Sequence, residues 1–253
     1  MPDRKSEAEI PPLIEDSIEL AEREARNALE QFDWAIEEVE RWISGGRPNL
    51  RLSMILDLHR KAMDGIDRYA GNFRPAGVVI RGSNHAPVAS ADVPRYMEEM
   101  LEYIKDNWRK RTAIHLCSYA MWRLNWVHPF VDGNGRTSRM LSYMILCGKL
   151  GQILPGTKTI PEQISENKAP YYEALEAADL AYRKGHVDVS HMESLLERYL
   201  TNQLVDAQRN SPSSTSKASS VRRSGIVKII EDHPVVATSI VALLLAVMTI
   251  IFT

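Results

Sequence analysis

Residues 126 to 139 read WVHPFVDGNGRTSR, so a histidine, an aspartate, an Asn between two glycines and two arginines fall within one short turn and its flanks. A turn joining two helices needs a glycine or a proline, and none of the other groups. His128 is a side chain whose unperturbed pKa lies near neutrality, so it could take a proton from an attacking hydroxyl. Gly133, Asn134 and Gly135 sit where a helix restarts. The first N–H groups of a helix have no intrahelical partner and carry partial positive charge, which favours phosphate. The glycines allow close backbone approach, and Asn134 adds a side-chain amide. Arg136 and Arg139 are three apart and share one face of the first turn, where they oppose the helix dipole. That placement suits a polyphosphate better than it suits stability. Asp132, beside this cationic ground, could hold a Mg²⁺ that bridges phosphate oxygens. Singly, each residue is an ordinary turn or helix-end residue; their joint occurrence points to phosphate chemistry.

The elements that must position these groups are mostly helical. Apolar residues at Ile14, Ile18, Ala21, Ala25, Leu29, Phe32, Ile36, Val39 and Ile43 recur at three- and four-residue steps. They predict one long helix with a single apolar stripe, stopped by Gly45-Gly46. Further helices are predicted over 49–63, from about Ser90 with Pro94 early in it, over 112–127, from Asn134 to the glycines at 148 and 151, over 165–183, and over 190–207. In the last, Ser190 and Glu193 read as a capping box. One stretch breaks the helical pattern: FRPAGVVIRGSNHAPV, residues 73–88, has β-branched residues around a Gly-Ser-Asn turn and predicts a small hairpin. A two-stranded hairpin is marginal alone, so it needs packing or a gripping role. The fold class expected is therefore all-α with one β-hairpin.

Composition bounds the rest. The chain has 253 residues, 25% of them charged, and a formal net charge of −2, so no basic excess argues for nucleic acid as partner. Cys117 and Cys147 lie in apolar helical patterns with no zinc or disulfide spacing and read as core residues of a reducing compartment. The opening MPDRKSEAEIPP has no apolar run and is not a secretory signal. At the other end, residues 235–253 carry no charge. About 19 residues at 1.5 Å each reach roughly 28 Å, close to a bilayer's apolar core. This predicts a single-pass membrane anchor at the C-terminal tail, with Arg222, Arg223 and Lys228 before it placing the head on the cytoplasmic side. The organisation expected is a long helix over 1–48, a catalytic core over 49–208, a Ser-rich tether with a basic juxtamembrane segment over 209–233, and the anchor over 234–253.

The string HPFVDGNGR resembles the signature of the Fic-domain family at every position. YAGNFRPAGVVIRGSNHAPV looks like that family's Phe-Arg segment and flap, and ISENKAPYYEALEAAD like the segment after its core; together they cover roughly residues 50–205. The resemblance implies an all-helical bundle with a hairpin flap. It also implies transfer of AMP from ATP to a Ser, Thr or Tyr hydroxyl of a target protein. In that scheme His128 is the general base, Asp132 holds Mg²⁺, Gly133, Asn134 and Gly135 form the anion hole, Arg136 holds the β-phosphate region and Arg139 the γ-phosphate. Val79, Ile80, Arg81 and Gly82 would clamp the target segment by strand addition. Tyr171, Tyr172 and Asp179 match positions that approach the nucleotide, with Asp179 standing where the family often has Asn. A homodimer is also expected from the family.

Many relatives carry an inhibitory Ser/Thr-x-x-x-Glu-Gly/Asn helix. Here the corresponding SIELAEREARNALEQ offers Glu22 and Glu24, neither followed by Gly or Asn, so that an inhibitory role for one of them, inhibition supplied by another chain, and a purely structural helix without built-in inhibition all stay open. Two alternatives to AMP transfer stand beside it: Fic-type handling of another phosphate-containing group, including AMP removal, and a non-catalytic membrane-tethered interaction module.

Overall fold

A computed structural model of the chain describes residues 4–7, 13–46 and 48–209. Its elements, in order, are β1 (Lys5–Glu7), α1 (Ser17–Ser44), α2 (Leu52–Met63), β2 (Val79–Arg81), a 3₁₀ turn (Ser90–Asp92) running into α3 (Val93–Asn107), α4 (Ala113–Val127), α5 (Asn134–Leu150), α6 (Ile160–Glu166), α7 (Ala169–Arg183) and α8 (Ser190–Arg209). The chain is thus mostly helical, as its periodicity predicts. The tether and the apolar run over 235–253 lie outside the described residues. Among the described residues, no helix is long and apolar enough to cross a membrane.

The centre of the bundle is the α4–α5 pair. The two run antiparallel, as shown by Asn125 Nδ2 donating to Ser138 Oγ near the turn and Ser142 Oγ donating to the Cys117 carbonyl farther along. Both are buried on nearly every side, which is why neither shows a strong amphipathic pattern. Cys117 and Cys147 are free and fully buried in this core, and burial pushes each thiol up to about 12. They are packing groups.

The long helix α1 starts where Asp16 accepts from the N–H groups of Ile18 and Glu19, at 2.9 and 2.8 Å, a side-chain cap on the first turn. Its buried face keeps the C-terminal half of the expected stripe, with Val39 buried and Phe32, Ile36 and Ile43 packed partly buried against the core, and departs from it earlier: Ile18 and Leu29 are 70% and 68% exposed, whereas Asn27, Gln31, Ala35 and Trp42 are buried. The reason is polar: Asn27 donates to the carbonyls of Ala62 and Asp64, and Gln31 to that of Leu58. Asn27 satisfies the end of α2, where the Ala62 carbonyl lacks a helical partner, and Gln31 adds a second acceptor bond to a carbonyl one turn earlier.

Three further expectations are corrected. The predicted 73–88 hairpin is minimal: within it only Val79–Arg81 is a strand, and that strand has its antiparallel partner in β1, far away in sequence. The helix expected over 165–183 is broken into α6 and α7. The break falls at Asn167, which leaves α6 in extended backbone (φ −142°, ψ 95°), and α7 starts two residues later with Pro170 in its first turn, where a missing N–H costs nothing. The Ser190–Glu193 capping box is also absent. Glu193 instead binds His115 Nδ1 at 2.6 Å, and Asp188 accepts from the Ser190 N–H.

Candidate active site

α4 ends at His128, which caps the helix in the left-handed region (φ 52°, ψ 60°). Among the described residues it is the one non-glycine with positive φ, a conformation that survives only when its surroundings over-determine it. Its N–H donates to Leu124 and its carbonyl accepts from Arg74 Nε at 2.8 Å. The ring is 6% exposed, and Nδ1 lies 3.3 Å from the Asn125 carbonyl. A carbonyl can only accept, so Nδ1 carries the proton and Nε2 the lone pair. Burial lowers the imidazole pKa to about 4, against the opposing pull of the Asn125 bond. At neutral pH His128 is an uncharged base.

Residues 129–133 turn the chain from α4 into α5. Phe130 is fully buried, and its ring stacks on His59 at 3.7 Å. His59 accepts from the Gly71 N–H on Nδ1 and therefore donates from Nε2 to the Asp132 carbonyl, at 3.0 Å each. Burial holds it near pKa 4 as well, so it is a neutral strut. Gly133 has φ 74°, and a Cβ there would stand 2.7 Å from Met63 Sδ and 3.1 Å from His59 Nε2; the backbone conformation and the space both demand glycine. The Asn134 carboxamide is not turned to a ligand. It accepts from the Phe130 N–H and donates to the Phe130 carbonyl, both at 2.9 Å. Its side chain therefore locks the turn, which corrects the expectation that it adds an amide to an anion hole. What remains for an anion is the start of α5, where no side chain caps the exposed N–H groups.

Arg136 is held between two carboxylates, Glu24 on α1 at 3.1 Å and Asp132 at 3.2 Å. Arg139 has no carboxylate partner among the described residues. Burial lowers its pKa, with the nearby Tyr171 and Tyr172 acting the other way. Glu24 therefore reaches the site and meets Arg136, whereas Glu22 is exposed on α1. Asp132 is exposed at the rim. A Mg²⁺ bound through one or two carboxylates and substrate phosphates needs no protein cage, so this single carboxylate fits such an ion.

A cavity of about 950 Å³ brings these groups together. Its lining includes His128, Asp132 to Arg136, Arg139, Glu24, Tyr171, Tyr172, Asp179 and Ile80. That volume is at the upper end of ligand-binding clefts. Tyr171 is buried, with its hydroxyl receiving Asn125 Nδ2 at 2.8 Å. Asp179 accepts from the Trp122 indole at 2.8 Å, and burial raises its carboxyl pKa. From the 79–82 segment only Ile80 faces this space; Val79 and Arg81 are exposed, and Gly82 turns the chain at φ 73°.

In the sequence Arg74 stands out only as part of the Phe-Arg segment, and His59 only as one residue of the helix over 49–63. The structure gives both a positioning role. Arg74 is 2% exposed and also donates to the carbonyls of Ala76 and Val88, while its N–H donates to Pro129. The available signal was an arginine following an aromatic residue, which says nothing of which carbonyls it would meet. Arg4, from the start of the chain, also lines the cavity, and nothing in its local sequence announces that.

Residues 49–146 match the model of the Fic/DOC family. Protein adenylyltransferase fic-1 of Caenorhabditis briggsae is 31% identical over 152 residues, covering 58% of this chain and 28% of that protein. Protein adenylyltransferase Fic of Drosophila grimshawi is 30% identical over 136 residues, 51% of this chain and 26% of that one. The matched region thus spans less than a third of these relatives. Among solved structures, Fic-1 from C. elegans superposes with a TM-score of 0.57 at 21% identity, covering 80% of this chain and 53% of the other. A Fic domain containing signaling protein from Bacteroides thetaiotaomicron gives 0.56 at 19% identity, over 73% and 74%. The fold is Fic-like.

Proposed function

With a Fic domain over residues 49–146 as premise, we propose that this chain transfers AMP from ATP to a Ser, Thr or Tyr hydroxyl of a target protein, releasing pyrophosphate. The observation that carries this reading is the pairing of a neutral, buried His128 at the end of α4 with the uncapped start of α5 across one cavity. The hydroxyl proton passes to His128 Nε2 as its oxygen bonds to the α-phosphorus, and the bond to the bridging oxygen of pyrophosphate breaks. Such a transfer needs positioning and charge neutralisation more than covalent work by the protein. The first N–H groups of α5 and the guanidinium groups of Arg136 and Arg139 supply that positive field. Mg²⁺, held at Asp132, would neutralise phosphate charge. Phosphate reaching Arg136 must displace Glu24, so α1 restrains the same site. The uncharged run over 235–253 would tether the head to a membrane and concentrate it near membrane-bound targets.

The test adds ATP labelled at the α-phosphate and Mg²⁺ to membrane and cytosolic extracts, with the full chain or its His128→Ala variant. A band labelled only by the unaltered chain supports AMP transfer. Labelling only from another donor keeps the site and changes the group transferred. No label from any donor, even with Glu24 replaced, sinks the transferase reading.

A further inference from the structure

The partner of β2 is a segment of the same chain. Lys5 is in register with Arg81, Ser6 with Ile80 and Glu7 with Val79. This is the edge to which an external segment would add as a strand. Arg4, just before β1, crosses the cleft to α7. Its N–H donates to Tyr172 Oη at 3.3 Å, its guanidinium carbon lies 4.5 Å from the Tyr172 ring centroid, and one terminal nitrogen pairs with Glu176. The Arg4 side chain is 9% exposed and lines the cavity that also contains His128, Ile80 and Arg139. Three residues of strand pairing hold little by themselves. A guanidinium placed between an aromatic face and a carboxylate is what fixes the segment.

We infer that the β2 edge, the Tyr172 ring and the Glu176 carboxylate form one docking groove for an extended, arginine-bearing segment, and that residues 4–7 are its internal ligand. The groove selects arginine over lysine, because a planar guanidinium can stack on the ring while it pairs with the carboxylate, and a compact ammonium cannot do both. The internal ligand is displaceable. Arg4 Nε is buried with no hydrogen-bond partner, so the fit leaves one donor unsatisfied and holds the segment less tightly than a fully paired guanidinium would. An external segment must therefore compete with a copy that is always present at high effective concentration. Calling that external segment the target rests on the transfer function proposed above; the groove itself does not, and its test uses no nucleotide.

A fluorescein-labelled peptide of residues 1–12, MPDRKSEAEIPP, is titrated by anisotropy against the full chain. Wild type binds it weakly, because its own copy fills the groove. In Arg4→Glu the internal segment is repelled by Glu176, and the peptide binds at least ~10-fold more tightly as the intramolecular competitor is removed. Adding Glu176→Lys abolishes that gain, since the internal segment is paired again and the peptide's arginine is repelled. A peptide with lysine in place of its arginine binds more weakly to the Arg4→Glu chain. Arg4 lies outside every helix, so thermal melting of Arg4→Glu stays at the wild-type midpoint and reports that the fold is intact. Equal affinity for wild type and Arg4→Glu, no binding to either up to about 1 mM, or a gain that survives Glu176→Lys would each overturn the inference.

Discussion

Arg74 Nε donates to the carbonyl of His128 at 2.8 Å, while its two terminal nitrogens donate to Ala76 and Val88. One buried side chain thus fixes the backbone of the proposed base and both legs of the 73–88 excursion. The left-handed φ of 52° at His128 is held in part by this bond, because a strained residue keeps its conformation only where neighbours over-determine it.

Replacing Arg74 by alanine leaves those carbonyls without their donor in a buried setting. The buried His128 carbonyl costs about 1–3 kcal/mol when orphaned and the two part-buried ones less, since water can reach them, so a loss of about 2–4 kcal/mol in urea unfolding is expected, with transfer activity falling as His128 loses its anchor. Arg74→Lys does not rescue it, since one ammonium cannot span three carbonyls. Wild-type stability in either variant would remove the positioning role assigned to Arg74.

Burial holds both His59 and His128 at about 4, below the unfolded value of about 6.5. Between those values the unfolded chain binds protons that the native chain refuses. Stability is therefore full above pH 6.5 and declines as pH falls toward 4, by about 3 kcal/mol for each ring. Unfolding measured from pH 7.5 to 4.5 should show this decline, and His128→Ala should remove about half of it. The acid limb of transfer activity belongs near pH 4 for the same reason. A limb near 6.5 would show that His128 is not buried as described.

Glu24 pairs with Arg136, where the proposed function places phosphate, whereas Glu22 is exposed and outside the cavity lining. The Glu24–Arg136 pair is part-exposed, so breaking it is worth no more than about 1 kcal/mol. Glu24→Ala should tighten ATP binding by roughly two- to five-fold, and Glu22→Ala should leave it unchanged. Isothermal titration of both variants decides between a restraint specific to Glu24 and a general effect of acidic charge on α1; equal shifts would favour the latter.

The sequence by itself determined the local features. Apolar periodicity placed most of the helices, the glycines marked the turn into α5, and HPFVDGNGRTSR put a candidate base, a helix start and two arginines in one short span. These are legible because they depend on neighbours a few residues apart. Tertiary structure alone decided which polar groups were consumed by the fold and which were left for chemistry. Asn134 closes its own loop through Phe130, Asn27 finishes α2 and Gln31 ties α1 to it at Leu58, and Glu24, not Glu22, meets Arg136. It also decided that β2 pairs with Lys5–Glu7 and not with residues 84–88. A hydrogen-bond partner or an ion pair is fixed by distance in space, and a donor's choice between a loop carbonyl and a ligand is settled only when the helices have packed.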